Sequence, residues 1–329
     1  MQSRNFNTKA IVEAGLLSGI IVVLMLITAY IPFLSILNLI LPVPVTILYL
    51  RHNYKVSISA VLVSGVLVAM FYNPVSAINA TLVYGITGMT LGYCIKGDKK
   101  ITITIMLLTL AGAVSYIVIG LLYIFVLQPY GVHGVINNIN KLIEMYNNTL
   151  EQAKNFYKAM GMTPQQLASM AKGLPVLTLE VIKLLAPAMI LLTLIFTALI
   201  NFAVAKSILK KLKYKVREFK PFSQVYINNR VGAVAIILFC IALLLQIRNM
   251  AIGVYTVSFL TIIIRIVFLI DGLALATFYL RGKFKLSKIV VFLILLFALL
   301  QFESIFFMLG LIDLIMDFRQ LDPDRLFKR

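Results

Sequence analysis

The sequence predicts an all-α polytopic transmembrane bundle of about nine or ten membrane segments, with an extracytoplasmic helical insertion. Three observations carry that prediction. Of 329 residues, 61% are hydrophobic and only 13% charged. At a mean hydropathy of +0.99 a soluble domain of this size has too little interior for its apolar side chains, so the bilayer must serve as solvent. The apolar residues come in runs long enough to cross about 30 Å of hydrocarbon as helices. Between the runs, basic residues gather in alternate loops. The strongest gathering is Lys206–Lys220, where Lys206, Lys210, Lys211, Lys213, Lys215, Arg217 and Lys220 stand against the single acid Glu218. Such a loop stays cytoplasmic during insertion, and it sets the direction of every span.

The first span runs from Ala10 to Ile31, about 33 Å of helix, and Pro32 ends it. Arg4 and Lys9 ahead of it place the N-terminus inside. The second, Phe33–Leu50, contains Leu41-Pro42-Val43-Pro44, and prolines so placed break or kink a helix. Arg51, His52 and Lys55 return the chain to the cytoplasm. The third span, Val56–Tyr72, ends in an Asn73-Pro74 turn; the fourth, Val75–Ile95, returns to Lys96–Lys100; the fifth, Ile101–Leu127, leads outside.

Residues 128–180 form the sizeable non-membrane insertion. Val135, Ile139, Leu142, Tyr146, Thr149, Ala153, Phe156 and Met160 alternate spacings of four and three, which makes one helical stripe. The stripe is expected to pack on the membrane domain, or else to serve as a lid or interface. Thr163-Pro164-Gln165-Gln166 reads as a helix cap, opening a short helix that ends near Gly173.

The sixth span, about Leu179–Ala205, is kinked at Pro187 and enters the basic loop. The seventh and eighth are Val231–Ile247 and Tyr255–Leu280, and Arg281, Lys283, Lys285 and Lys288 bring the eighth back inside. Ile289–Phe318 would measure about 45 Å as one helix, too long for one upright crossing. Gln301, Glu303 and Ser304 interrupt it, so a hairpin of two short helices is expected. It returns Arg319, Arg325, Lys328 and Arg329 to the cytoplasm.

Composition also excludes classes. The net charge of +18 follows topology and points to anionic lipid headgroups, not nucleic acid. Cys94 and Cys240 lie in apolar spans and suggest neither disulfide nor metal knuckle. With only His52 and His133 and no HExxH, no metal site is expected; no GxxxxGK[ST] occurs, so the chain is not itself an ATPase. No cofactor is implied. The first apolar run reads as a retained span, not a signal peptide.

Several residues could carry function. Ala10, Ala14 and Ser18 make a small-residue face on the first span, with Gly15 and Gly19 beside it, and Thr81, Gly85, Gly88 and Gly92 make a ridge on the fourth. Such faces let helices approach closely, within the chain or with a partner. Arg265 and Asp271 are charges inside the eighth span and need partners on other helices or enclosed water. Asp313 and Asp317 share a helical face, either as a cation or partner site or as a helix end entering water with Arg319 as counter-charge. Depth and polarity single out Tyr72, Asn73, Asn79, Thr81, Tyr84, Tyr116 and Tyr123 as candidate pocket residues, with Lys183 either drawing an anion or snorkelling to headgroups. Tyrosines also settle at membrane interfaces without any ligand.

With Ala10 and Ala14, the Ile31-Pro32 end, the proline-broken second span and the Gly-rich fourth, the first six spans resemble the S components of energy-coupling-factor vitamin transporters. That resemblance implies a six-helix substrate-binding domain over 1–215, carrying the 128–180 insertion. It also implies an AxxxA face that docks a coupling membrane subunit served by ATPases. Glu13 inside the AxxxA pattern departs from the family. Asn201-Phe202, Ile208–Leu212, Pro221-Phe222, Gly310–Asp313 and Asp317–Arg319 make the whole chain similar to the YybS-like family of Gram-positive membrane proteins. Residues 216–329 would then form a C-terminal membrane domain of three or four segments.

The reading that follows is a multi-pass cell-membrane protein with a cytoplasmic N-terminus and no catalytic motif. It binds a small solute as a transport subunit energised by another protein, or it is a non-transporting scaffold or regulator docking cytoplasmic partners. Its topology is testable in a chain freed of its own cysteines. On intact cells an impermeant thiol reagent is expected to label a cysteine at Asn147 and spare one at Ser207; the reverse overturns the assignment.

Overall fold

A computed structural model describes residues 8–127, 131–171 and 176–321. Arg4, Gly173, Arg325, Lys328 and Arg329, used in the topology above, lie outside them, as does the side chain of Lys9. The described residues are helical without strands, and nine stretches, counting Phe33–Arg51 and Lys288–Met316 each as one, are long and apolar enough to cross a membrane. It divides into two compact units, Met1–Glu144 with Leu191–Glu218, and Met145–Ile190 with Phe219–Arg329.

The first unit begins with α1 (Thr8–Tyr30). The prolines act as expected: Pro32–Leu39 is a 3-10 turn run, and a fresh helix, α2 (Pro42–Arg51), starts with Pro at its first position. Every residue of α2 from Pro42 to Leu48 is buried, as befits a helix enclosed on all sides. Around it stand α3 (Tyr54–Phe71), α4 (Pro74–Lys96) and α5 (Ile101–Leu122), which continues as a π-helical turn over Tyr123–Leu127. Asn53 caps α3 by accepting from Val56 N, and Asn73 caps α4 by accepting from Val75 and Ser76.

Two apolar clusters fill this unit. Ile21, Val22 and Met25 of α1 meet Leu41, Val45, Val61, Val68 and Ala77. Val43, Ile47, Leu91 and Leu108 meet Ala198, Phe202, Ala205 and Leu209 from α8 (Leu179–Lys211). The α4 ridge packs inward: a Cβ at Gly85 would meet Val61, one at Gly88 the Pro42 carbonyl and Val45, and one at Gly92 the Tyr49 ring. Thr46 Oγ stands 2.9 Å from the Pro42 carbonyl and 3.0 Å from that of Gly88, donating into this contact.

The basic stretch after α8 is not a free loop. Tyr214 and Val216 pack on the second cluster, Arg51 Nε donates to the Tyr214 hydroxyl at 3.0 Å, and Lys210 pairs with Glu218. Arg217 grips Asp98 with two bonds, at 2.8 and 2.7 Å. Its guanidinium holds the Asp98 carboxyl below the ordinary carboxylate range.

Of the insertion, α6 (Gly131–Ala159) and α7 (Pro164–Ala171) are helical. Gln166 Oε1 accepts from Thr163 N at 2.9 Å while Thr163 Oγ accepts from Gln166 N at 3.4 Å, which is the expected reciprocal cap. Along the α6 stripe Val135, Ile139 and Tyr146 are half-buried, while Leu142, Thr149, Ala153, Phe156 and Met160 are exposed. The helix satisfies its own backbone bonds, so its apolar stripe can form without a covering element.

The second unit contains α9 (Asn229–Ile247), α10 (Ala251–Gly282) and α11 (Lys288–Met316), with a 3-10 turn over Phe222–Gln224. Helix α11 is broken at Phe302, whose φ of −129° and ψ of 38° are not helical. Its second half runs parallel to α10 at a constant offset of 38 positions, Arg265 beside Glu303 and Gly272 beside Gly310. A straight α11 at that register would set Lys288 at the start of α10, about 48 Å from Gly282. The linker 283–287 reaches at most about 21 Å. The chain therefore doubles back at Phe302, making the hairpin its polar interruption predicts. Each half is about 20 Å long, short of a full crossing.

The return limb depends on two glycines. A Cβ added at Gly272 would fall on the Phe306 carbonyl, and one at Gly310 on that of Phe268; each would also come within 3.0 Å of the other glycine's amide nitrogen. Backbone meets backbone here, with no flexible side chain to yield. Gly272→Ala and Gly310→Ala are each expected to lower stability by about 1–3 kcal/mol, read as a fall in Tm. Gly15→Ala, where nothing lies within 4 Å of the added carbon, should not.

Candidate functional site

Close contact at Gly272 and Gly310 brings two acids together at the base of the hairpin. Asp271 precedes the first glycine, and Asp313 lies one turn beyond the second. Helix α11 ends at Asp317, which takes a left-handed φ of 45°, and its N–H closes on the Asp313 carbonyl at 2.7 Å. That turn swings Arg319 back between the acids. Arg319 Nη2 donates to Asp271 Oδ1 at 2.6 Å and to Asp313 Oδ2 at 2.7 Å, and Nε to Asp313 Oδ2 at 3.1 Å. Nη1 donates to the carbonyls of Val225 at 2.6 Å and Ser223 at 3.3 Å, while Asp313 Oδ1 accepts from Phe318 N at 3.0 Å.

The cluster is dry. Side-chain exposure is 0% for Arg319, 2% for Asp271 and 4% for Asp313. Burying charge is affordable only with paired, hydrogen-bonded partners, and the guanidinium fork meets four acceptors at once. The arrangement is a clamp, joining α10, the α11 return limb and the 223–225 segment. The second intramembrane charge, Arg265, donates from Nε to Glu303 at 2.9 Å, with both side chains about half exposed.

The sequence asks for partners to Arg265 and Asp271 on other helices or in enclosed water; Arg265 meets Glu303 and Asp271 meets Arg319. Sequence reading assigned Arg319 only as a local counter-charge for Asp313 and Asp317 and missed its bond to Asp271. The available signal was arithmetic: Asp271 needed a cation, and Arg319 follows a hairpin that brings it back.

The first unit offers a different feature, an open groove of about 840 Å³ between α1 and the start of α3. Ala14, Gly15 and Ser18 line one side, Val56, Ser59 and Ala60 the other, and Arg51, His52 and Lys55 its end. Ala10 and Ser18 are themselves buried; Ser18 Oγ lies 3.3 Å from the Ala60 carbonyl, and Ser64 Oγ lies 3.3 Å from that of Ser18. Gly15 and Gly19 face open space. Beside the groove Glu13 Oε2 sits 3.0 Å from His52 Nε2 and 3.5 Å from Arg51. Glu13, the departure within the AxxxA pattern, thus has cationic neighbours of its own.

The polar residues singled out for a pocket are placed individually. Tyr72 stacks edge-on against Tyr30, their centroids 5.3 Å apart. Asn73 is spent as a helix cap. Asn79, Tyr116 and Lys183 are exposed, and Tyr123 accepts from the Asn138 amide at 3.3 Å. Tyr84 packs on the first apolar cluster. Thr81 Oγ is buried without a hydrogen-bond partner, against Gly65. Among the described residues no group of three or more His, Cys, Asp or Glu gathers as a metal set.

A family model described as "Predicted membrane protein (DUF2232)" matches residues 19–314. No curated protein and no solved structure matches the chain.

Removing the Arg319 cation should cost more than removing an exposed one. Arg319→Leu leaves two buried acids facing each other, and a loss of about 3–5 kcal/mol is expected, against about 1 kcal/mol or less for Arg265→Leu. Replacing Asp271, Asp313 and Arg319 together by apolar residues should recover much of the loss. Thermal unfolding of the purified variants checks the order.

Proposed function

We propose that this chain, which belongs to the DUF2232 family of predicted membrane proteins, works as a membrane-embedded docking subunit, receiving a transmembrane helix of another protein along the α1–α3 groove. The observation that carries the reading is the groove's open small-residue wall at Gly15, where a side chain could be added without meeting anything, as it could one turn further on at Gly19 beyond the groove's lining. In lipid, helix association rests on close dispersion contact, and small residues permit it. Basic residues at the groove's end, Arg51, His52 and Lys55, suit a helix flanked by acids on that side of the membrane.

The proposed division is a six-helix domain over 1–215 and a C-terminal membrane domain over 216–329, in a cell membrane with the N-terminus cytoplasmic. The resemblance to S components and to the YybS-like family is consistent with docking, since the former meet a coupling subunit and its ATPases through the first helix. Small-solute binding, the other use of that resemblance, draws less support. Asn79, Tyr116 and Lys183 are exposed and Asn73 is spent as a helix cap, and apolar side chains pack among α1 to α4.

A photoreactive residue placed at Gly15 in the full chain tests this in native membranes. Crosslinking to one membrane protein is expected, absent from a control at exposed Leu121, and lost on Gly19→Leu at unchanged Tm. Crosslinks to lipid alone would overturn docking. A metabolite that raises Tm in the wild type but not in Thr81→Val or Tyr84→Phe would restore solute binding.

A further inference from the structure

We infer that the second unit holds a single anionic membrane lipid, its phosphate between Arg281 and Lys288 and an acyl chain in the groove beneath them. The groove is about 790 Å³, lined by α10, the outgoing limb of α11 and the 219–222 segment. That size suits a small-molecule site. Its walls are Leu273, Leu295, Leu299 and Phe222, relieved by Thr277. An open groove of this composition within a bilayer is filled by hydrocarbon, so the headgroup decides which lipid stays.

The mouth supplies that choice. Arg281 lies in the last turn of α10 and Lys288 begins α11, and both line the groove. Neither makes an ion pair among the described residues, and basic pockets between membrane helices are suited to anionic headgroups. The hairpin creates the geometry: doubling back at Phe302 keeps the outgoing limb beside α10, with both cations at one end. The wall is also fixed, because Arg319 holds the Ser223 and Val225 carbonyls next to Phe222. This site is independent of the α1–α3 groove.

The test uses the full-length protein in a neutral detergent, with phosphatidylglycerol, phosphatidylcholine and inorganic phosphate as probes, read by thermal unfolding and native mass spectrometry. Phosphatidylglycerol is expected to raise Tm and to remain as one bound lipid, while the other two do not. Arg281→Ala with Lys288→Ala should weaken retention about tenfold or more. Lys283→Ala with Lys285→Ala, basic residues of the same linker outside the lining, should leave it intact. Leu296→Trp, filling the groove from a half-exposed wall position, should displace the lipid even if the double variant folds poorly. An equal effect of phosphatidylcholine, an effect of phosphate alone, or no effect of phosphatidylglycerol would overturn the proposal. So would retention unchanged in the Arg281/Lys288 variant or in Leu296→Trp, or retention lost equally in the Lys283/Lys285 variant.

Discussion

Two carboxylates on neighbouring helices, Asp271 and Asp313, can share one dry site only because a guanidinium lies between them. Arg319 supplies it, and its Nη1 donates to the backbone carbonyls of Ser223 and Val225. Without water to solvate either charge, the alternatives are pairing or a large penalty. The geometry of the second unit is consistent with that demand. The hairpin must bring residue 319 back to the level of residue 271, and the helices must cross closely enough for both acids to reach it.

Close crossing is a matter of missing side chains. At Gly272 and Gly310 the backbones of α10 and the return limb touch, which no larger residue would allow. Helices in lipid gain little from apolar burial as such, since hydrocarbon surrounds them in either state. Contact area and satisfied polar groups are what remain to hold them. The first unit uses the same resources differently: α4 lays its glycines over α2 and α3, and the buried Ser18, Thr46 and Ser64 hydroxyls donate to neighbouring carbonyls. Where such a stripe stays open, as at Gly15 and Gly19, it is a surface without a mate among the described residues.

The basic stretch after α8 has two roles. In the sequence its charge excess has the form of a topological signal, of the kind read during insertion. Its individual residues are structural, since Tyr214 reaches Arg51 and Arg217 grips Asp98. A charge count reports the first role and is silent about the second.

Local pattern determined the helices. Runs of apolar residues, the prolines at 42 and 44, the Asn caps before α3 and α4 and the Thr163 box each act within a few residues, so sequence suffices to read them. The doubling back of the last stretch was legible too, from length and from polar residues at its middle. The α6 stripe was legible as a helix face, but periodicity does not report what covers it. The need of Arg265 and Asp271 for partners followed from energetics alone, but Arg319 did not, because its route to Asp271 passes through a left-handed turn and a glycine crossing. Likewise the directions taken by the tyrosines and asparagines marked by depth depend on rotation about their helices, which hydropathy does not encode. Sequence by itself determined which segments lie in the membrane and which charges could not stay alone. Tertiary structure decided which groups meet, because contacts between residues far apart in the chain depend on helix rotation and crossing that no local pattern specifies.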